Sequence, residues 1–258
     1  MPEQPEVEAA ARRLRVALVG RRLRTVEPLH AALARQLPAS EASSLAGRTV
    51  VGVERRGKHQ LLRLDDGRAL HVHFRMAGDW VMDRGADPLP PHARLALSCD
   101  DGTRVVLVDP RALASVAILA PGTELPALGP EADDPALTVA ALRDALARRR
   151  GPIKPVLLDQ RVVAGIGNIY AAEALWRARI SPRAVASSLS AVRLARLLDG
   201  VRAALAEGAR SATRYSGGDA RFEVYGRERE PCTRCGTAIR RIVQAGRATY
   251  FCPHCQRR

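Results

Sequence analysis

Apolar and polar positions along the 258-residue chain fall into three successive regimes. Residues 4–19 place Val7, Leu14 and Leu18 on one helical face. Acids crowd the first turn, arginines follow at Arg12, Arg13 and Arg15, and Gly20 stands where a C-terminal cap belongs, so the spacing predicts a helix. From about 47 to 120 the pattern turns to short apolar runs. Leu61-Leu62-Arg63-Leu64 and Leu70-His71-Val72-His73-Phe74 flank Asp65-Asp66-Gly67, and Leu95-Ala96-Leu97 and Val105-Val106-Leu107-Val108 flank Asp100-Asp101-Gly102. Asp-Gly between apolar runs marks a hairpin, and two of them predict an antiparallel sandwich. Residues 121–135 hold Pro121, Gly122, Pro126, Gly129, Pro130 and Pro135, which reads as a connection between domains. Helical spacing then returns at about 138–149, 155–162, 168–178 and 189–206, and the last 30 residues carry four of the five cysteines.

Those cysteines sharpen the picture. Cys232-Thr233-Arg234-Cys235 and Cys252-Pro253-His254-Cys255 are two C-x-x-C knuckles separated by 16 residues. Each two-residue gap lets both sulfurs reach one ion, and two knuckles complete a tetrahedral Zn(II) site. Nothing at the N-terminus reads as a secretory signal, since Glu3, Glu6 and Glu8 precede any apolar run, so zinc is expected over disulfides. One structural zinc per chain is the cofactor expectation, with His254 facing solvent and Cys99 a small buried apolar residue. Ile239–Val243 and Ala248–Phe251 should be two strands, with Arg247 at the tip of the hairpin.

Composition changes the picture in one respect. Lys plus Arg number 41 against 27 Asp plus Glu, a formal net charge of +14, and the last 58 residues alone hold 12 Arg against 5 acids. Such a surplus, concentrated beside a metal-site pattern, is the footprint of a nucleic-acid binder, although a cationic solvated surface would give a similar count. With 47% apolar residues the chain is not disordered, no run approaches a membrane span, and only 9 aromatics are present for base stacking. Lys58 and Lys154 are the only lysines and Asn168 the only asparagine. An amine and a carboxamide retained against so strong an arginine bias point to roles a guanidinium cannot fill. Asn168 follows a Gly-rich turn into a helix, where it could meet a phosphate or simply cap the helix.

Met1-Pro2-Glu3 is the remaining place for chemistry. A small second residue invites removal of Met1, leaving Pro2 with a free secondary amine at a helix start, where the ammonium is disfavoured. Such an amine can form an iminium with a carbon at the aldehyde oxidation level, with Glu3 beside it to handle protons.

The stretches Met1-Pro2-Glu3-Gln4-Pro5-Glu6-Val7-Glu8, Arg55-Arg56-Gly57-Lys58, Leu157–Gln160, Val163–Tyr170, Val224–Arg227 and the finger from Cys232 to Gln256 together resemble one family, the formamidopyrimidine-DNA glycosylases and their endonuclease VIII relatives. The resemblance implies an α+β multidomain fold. Residues 1–125 would be an N-terminal helix plus antiparallel β-sandwich, 126–136 a linker, 137–222 a helix-two-turn-helix domain, and 223–258 a β-hairpin zinc finger, with DNA in the cleft between. It implies a bifunctional glycosylase and AP lyase with Pro2 as nucleophile and Glu3 as acid/base. Lys58, Asn168 and Arg247 would grip phosphates, and Lys154 would lie near the lesion pocket. Met76, Arg111 and Leu113 would fill the gap left by the flipped base. The partner would be double-stranded DNA with damaged bases or abasic sites. The enzyme would act as a monomer in the bacterial cytoplasm, associated with the nucleoid and not with membrane. Where the family has Asp-Pro-Arg-Arg-Phe-Gly, this chain has Asp109-Pro110-Arg111-Ala112-Leu113-Ala114, with Leu113 in the aromatic wedge position. His73-Phe74-Arg75-Met76-Ala77-Gly78 replaces His-Leu-Gly-Met-Ser-Gly, and Gly208–Val224, which carries the loop that covers flipped 8-oxoguanine, is shortened. A non-catalytic zinc-stabilised DNA-binding protein on the same scaffold is the rival reading, and a zinc-ribbon RNA- or ribosome-associated protein a third.

Overall fold

A computed structural model of the chain describes residues 1–85, 87–123, 125–212 and 222–257. It divides into two compact units, one formed by Met1–Leu125 and the other beginning at Pro126.

The first unit opens with helix α1 (Gln4–Leu18), followed by β1 (Leu23–Pro28) and two short helices, α2 (Ala31–Ala34) and α3 (Ala39–Ser43). Seven strands follow: β2 (Val50–Arg56), β3 (His59–Leu64), β4 (Ala69–His73), β5 (Asp79–Asp83), β6 (Ala93–Cys99), β7 (Arg104–Val108) and β8 (Ser115–Leu119). They form two four-stranded antiparallel sheets in the orders β1-β6-β7-β5 and β2-β3-β4-β8. Both Asp-Asp-Gly signals become hairpin turns, with Gly67 at φ 83° and Gly102 at φ 85°. Helix α1 buries Val7, Ala10, Ala11, Leu14 and Leu18 against the sandwich, an i, i+3, i+4 series that continues for three turns. Its outer face is tied down as well. Glu8 accepts from Arg15 Nη1 at 2.9 Å and from Arg55 Nε at 3.0 Å, which couples α1 to β2. Burial alone would raise the Glu8 carboxyl, but these two guanidinium partners outweigh it and hold the group below its ordinary value. Cys99 is fully buried, and burial pushes its thiol up to about 11.

The second unit contains α4 (Val139–Leu146), α5 (Ile153–Leu157), α6 (Asn168–Arg177), α7 (Ala191–Ser211) and a hairpin of β9 (Arg240–Gln244) and β10 (Arg247–Phe251). The helix expected over 155–162 is instead a single turn starting two residues earlier. Pro152 stands at its N-cap and Pro155 occupies the first turn, where a missing N–H costs nothing. Asp159 then turns back on Arg161 N–H at 3.0 Å and stops the helix. Residues 126–136, expected as a linker, are built into this unit. Gly129 N–H donates to the Gln160 carbonyl, Ala132 N–H to the Ala164 carbonyl, and Ala132 is fully buried. No helix among the described residues is long and apolar enough to cross a membrane.

Candidate functional site

In the first unit, the start of α1 presents Pro2 and Glu3, both buried, with Glu3 only 1% exposed. Glu3 is the N-cap, and its backbone N–H donates to the Glu6 carboxylate at 2.9 Å, so the local sequence Pro2-Glu3-Gln4-Pro5-Glu6 fixes its own helix entry. Lys58 stands on the two-residue turn between β2 and β3, where Gly57 at φ 57° lets the chain reverse and Arg56 pairs with His59. It is 9% exposed, neither a surface lysine nor a strand-edge one. Burial lowers the α-amino group at the chain start below its usual value. Lys58 and Arg111 push the same way, and Glu3 and Glu6 oppose them. These five groups therefore share one electrostatic neighbourhood, whose net effect shifts the Met1 amine toward its neutral form.

Beside Lys58 lies a histidine group that motif reading missed. His59 Nδ1 and His71 Nε2 are 2.8 Å apart, and the His59 and His73 rings meet edge to face at 4.7 Å. Burial, then His59, Arg75, His71 and Lys58, push the His73 imidazole down to about 3. The ring is thus neutral at pH 7, and since its Nδ1 accepts Arg75 N–H at 3.0 Å, the ring proton sits on Nε2. The alternation His71-Val72-His73 on a strand was the available signal, because i and i+2 share a face.

Met76, Arg111 and Leu113 all lie on turns of this unit with their side chains outward, Met76 at 36% and Leu113 at 45% exposure. Single exposed apolar residues are ordinary, and each of these two stands within two residues of an arginine, Arg75 and Arg111.

In the second unit, Asn168 is the first residue of α6, and Gly167 is the N-cap, so Asn168 does not cap the helix. Its Nδ2 donates to the Ala248 carbonyl at 3.0 Å, and its Oδ1 accepts from Lys154 Nζ at 2.5 Å. Lys154 also donates to Thr249 Oγ1 at 2.8 Å and the Ala248 carbonyl at 3.2 Å. Lys154 is 0% exposed, and its bonds stitch α5, α6 and β10 together. The sequence could not foresee this, because the acceptors on β10 lie more than 90 residues away. Arg247, the residue before Ala248, is exposed at the first position of β10, and Ala245 and Gly246 make the turn at φ 46° and 73°. Replacing Lys154 with Met is expected to leave Asn168 Oδ1 and Thr249 Oγ1 without this donor, while the Ala248 carbonyl keeps Asn168 Nδ2, and to cost at least about 3 kcal/mol, since hydrogen bonds to a charged donor each contribute roughly 1.5–3 kcal/mol. Urea unfolding of the two proteins measures it, and an unchanged midpoint would refute the stitch.

The four sulfurs of Cys232, Cys235, Cys252 and Cys255 lie within 4.8 Å of one another, with Cys232–Cys255 at 4.0 Å and Cys235–Cys252 at 3.5 Å. Tetrahedral Zn–S bonds of about 2.3 Å require sulfurs about 3.8 Å apart, so the thiolates fit one zinc ion. Trp176 of α6 donates its indole N–H to Cys232 Sγ at 3.5 Å, and Arg234 stacks over its ring at 3.6 Å. Glu173, on the same helix, accepts the backbone N–H groups of Glu223, Val224 and Tyr225 at 2.9–3.0 Å and anchors the lead-in to the finger. His254 is exposed. The shortened stretch noted between Gly208 and Val224 falls largely outside the described residues.

Three family models match the chain: the formamidopyrimidine-DNA glycosylase N-terminal domain over residues 1–116, the formamidopyrimidine-DNA glycosylase H2TH domain over 128–216, and a zinc finger found in FPG and IleRS over 229–258. The formamidopyrimidine-DNA glycosylases of Rhizorhabdus wittichii and Roseiflexus sp. are 43% and 42% identical to it, each across the full length of both chains. Among solved structures, MutM in complex with DNA containing carbocyclic 8-oxo-G superposes with a TM-score of 0.91 at 30% identity, covering all of both chains. The Lactococcus lactis Fpg bound to DNA containing an abasic site gives 0.90 at 29% identity, again with full coverage.

Proposed function

Because the chain belongs to the formamidopyrimidine-DNA glycosylase family, we propose that it removes oxidised bases from double-stranded DNA and cuts the strand at the resulting site, acting as a single polypeptide. The observation that carries the reading is the environment at the start of α1: Pro2 and Glu3 are buried, and burial, Lys58 and Arg111 hold the α-amino group of the preceding Met1 toward its neutral form.

With Met1 removed, the lone pair of the Pro2 nitrogen attacks C1′ of the flipped nucleotide as the bond from C1′ to the base breaks, and the proton shed by the nitrogen leaves with the base. Glu3 gives its proton to the ring oxygen as the sugar opens, and the product is an iminium between Pro2 and C1′. The iminium acidifies the C2′ hydrogen. Loss of that proton expels the 3′ phosphate, a second elimination expels the 5′ phosphate, and hydrolysis frees Pro2. Lys58, Asn168 and Arg247 hold the phosphates around the extruded nucleotide, while Met76, Arg111 and Leu113 occupy the gap it leaves. The zinc takes no part in these steps. When bound, it supplies folding free energy to the unit that carries Arg247.

Leucine in the wedge position stacks less than an aromatic ring, and the stretch between Gly208 and Val224 is short. Formamidopyrimidines, oxidised pyrimidines, hydantoins and abasic sites are therefore the expected substrates ahead of 8-oxoguanine. Borohydride trapping on a panel of duplexes bearing each lesion tests this. A covalent adduct at an abasic site supports the reading, and a wild-type protein that traps nothing on any lesion defeats it in favour of a non-catalytic binder.

A further inference from the structure

Asp109 is fully buried at the start of the loop that joins β7 to β8. Its Oδ2 accepts Leu113 N–H at 2.6 Å and Ala114 N–H at 2.7 Å, and its Oδ1 accepts Arg111 N–H at 3.0 Å. Its own carbonyl accepts Arg94 Nε at 2.7 Å and Ala112 N–H at 3.1 Å, and its N–H donates to the His92 carbonyl at 3.0 Å. Every polar atom of the residue is used, and four of the next five residues donate to it. The chain they fix is not a relaxed one, since Ala112 sits at φ 52°, in the left-handed region that L residues avoid. The outcome of this nest is directional. Ala114 turns into the core, while Arg111 and Leu113, on either side of Ala112, are exposed.

We infer that Asp109 is a positioning residue, which holds the loop so that Arg111 and Leu113 enter the duplex in one fixed pose. The inference rests on the proposed reading of those two side chains as the pair that fills the gap in the DNA. A buried carboxylate can do this without repelling phosphate, because its charge is spent on three backbone N–H groups. The need is larger here than for an aromatic wedge. Leucine offers a small contact surface, so its placement must come from the backbone beneath it and not from stacking.

The test is a mutant cycle on the full-length protein, read as KM and kcat for nicking of abasic-site duplexes with each of the four bases opposite. Asp109→Asn can accept on one side only, so at least one of the three N–H groups loses its partner. The expected result is a KM at least ten-fold higher, a flattened preference among opposite bases, and a kcat within two-fold of wild type. Asp109→Glu, which keeps the charge but moves it by a methylene, should act in the same direction and serves if the amide variant does not fold. Combined with Arg111→Ala and Leu113→Ala, either change should add less than two-fold, because the groups through which Asp109 acts are gone. If the losses add, or if Asp109→Asn matches wild type while the loop variant is impaired, the positioning role is overturned. If Arg111→Ala with Leu113→Ala leaves duplex KM unchanged, the reading of the loop fails first and the inference falls with it.

Discussion

Pro2→Gly is expected to lower the yield of the borohydride-trapped adduct at an abasic site by at least about 100-fold, the loss that follows a misplacement of roughly 1 Å at a reacting atom. Two physical changes act together. The proline ring locks the direction of the nitrogen lone pair relative to the buried Glu3, whereas glycine leaves that bond free to rotate. A secondary amine also yields an iminium that is charged without further protonation, while glycine gives an imine that must first gain a proton. Lys58→Gln separates nucleophile from environment. Burial is the largest cause of the lowered Met1 amine and Lys58 adds to it, and the Pro2 amine exposed by loss of Met1 would meet the same cation. Removing that cation should therefore raise the amine partway toward its usual value and move the acid limb of the trapping profile to higher pH. Retention of wild-type trapping by Pro2→Gly, measured on protein verified to lack Met1, would remove Pro2 from the chemistry.

What could be read from the chain and what could not divides along contact distance. Helix α1, the turns at Gly67 and Gly102 and the two cysteine knuckles are encoded within a few residues, by charge order, Asp-Gly steps and fixed gaps. Strand β1 carries no comparable signal. Its pairing is with β6, some 70 residues onward, so only the assembled sheet selects it. Lys154 shows the same limit at a site: its rarity marked it as special, but its burial depends on acceptors of β10. Asp109 was visible as the head of a motif, yet its three N–H partners depend on the loop closing over it, and spacing alone does not show that. Sequence therefore placed the local elements and the cysteine site well and described the long-range supporting contacts poorly.

Removing the zinc should abolish tight binding to an abasic-site duplex, by at least about 100-fold, while the first unit stays folded. The apolar cluster under the finger explains why. It comprises Ala172, Trp176, Val224, Cys232, Ile239 and Cys252, of which two belong to α6 and two are metal ligands. Val224 and Ile239 are its other members, with Tyr225 and Tyr250 half-buried against it, too little to offset the ordering of about 30 residues, whereas a structural zinc contributes on the order of 10–16 kcal/mol. Without the ion, the hairpin loses its base. Ala248 and Thr249 then no longer meet Asn168 and Lys154, and Arg247 ceases to be a fixed cation. Loss of fixed phosphate contacts should also flatten the salt dependence of whatever affinity remains. The first unit has its own core, from Val7 to Val116, and shares none of these bonds. Limited trypsin digestion should therefore cut the apo-protein within the arginine-rich finger and leave an N-terminal fragment intact. Unchanged duplex affinity after metal loss verified by elemental analysis would show that the finger is not what holds Arg247 in place.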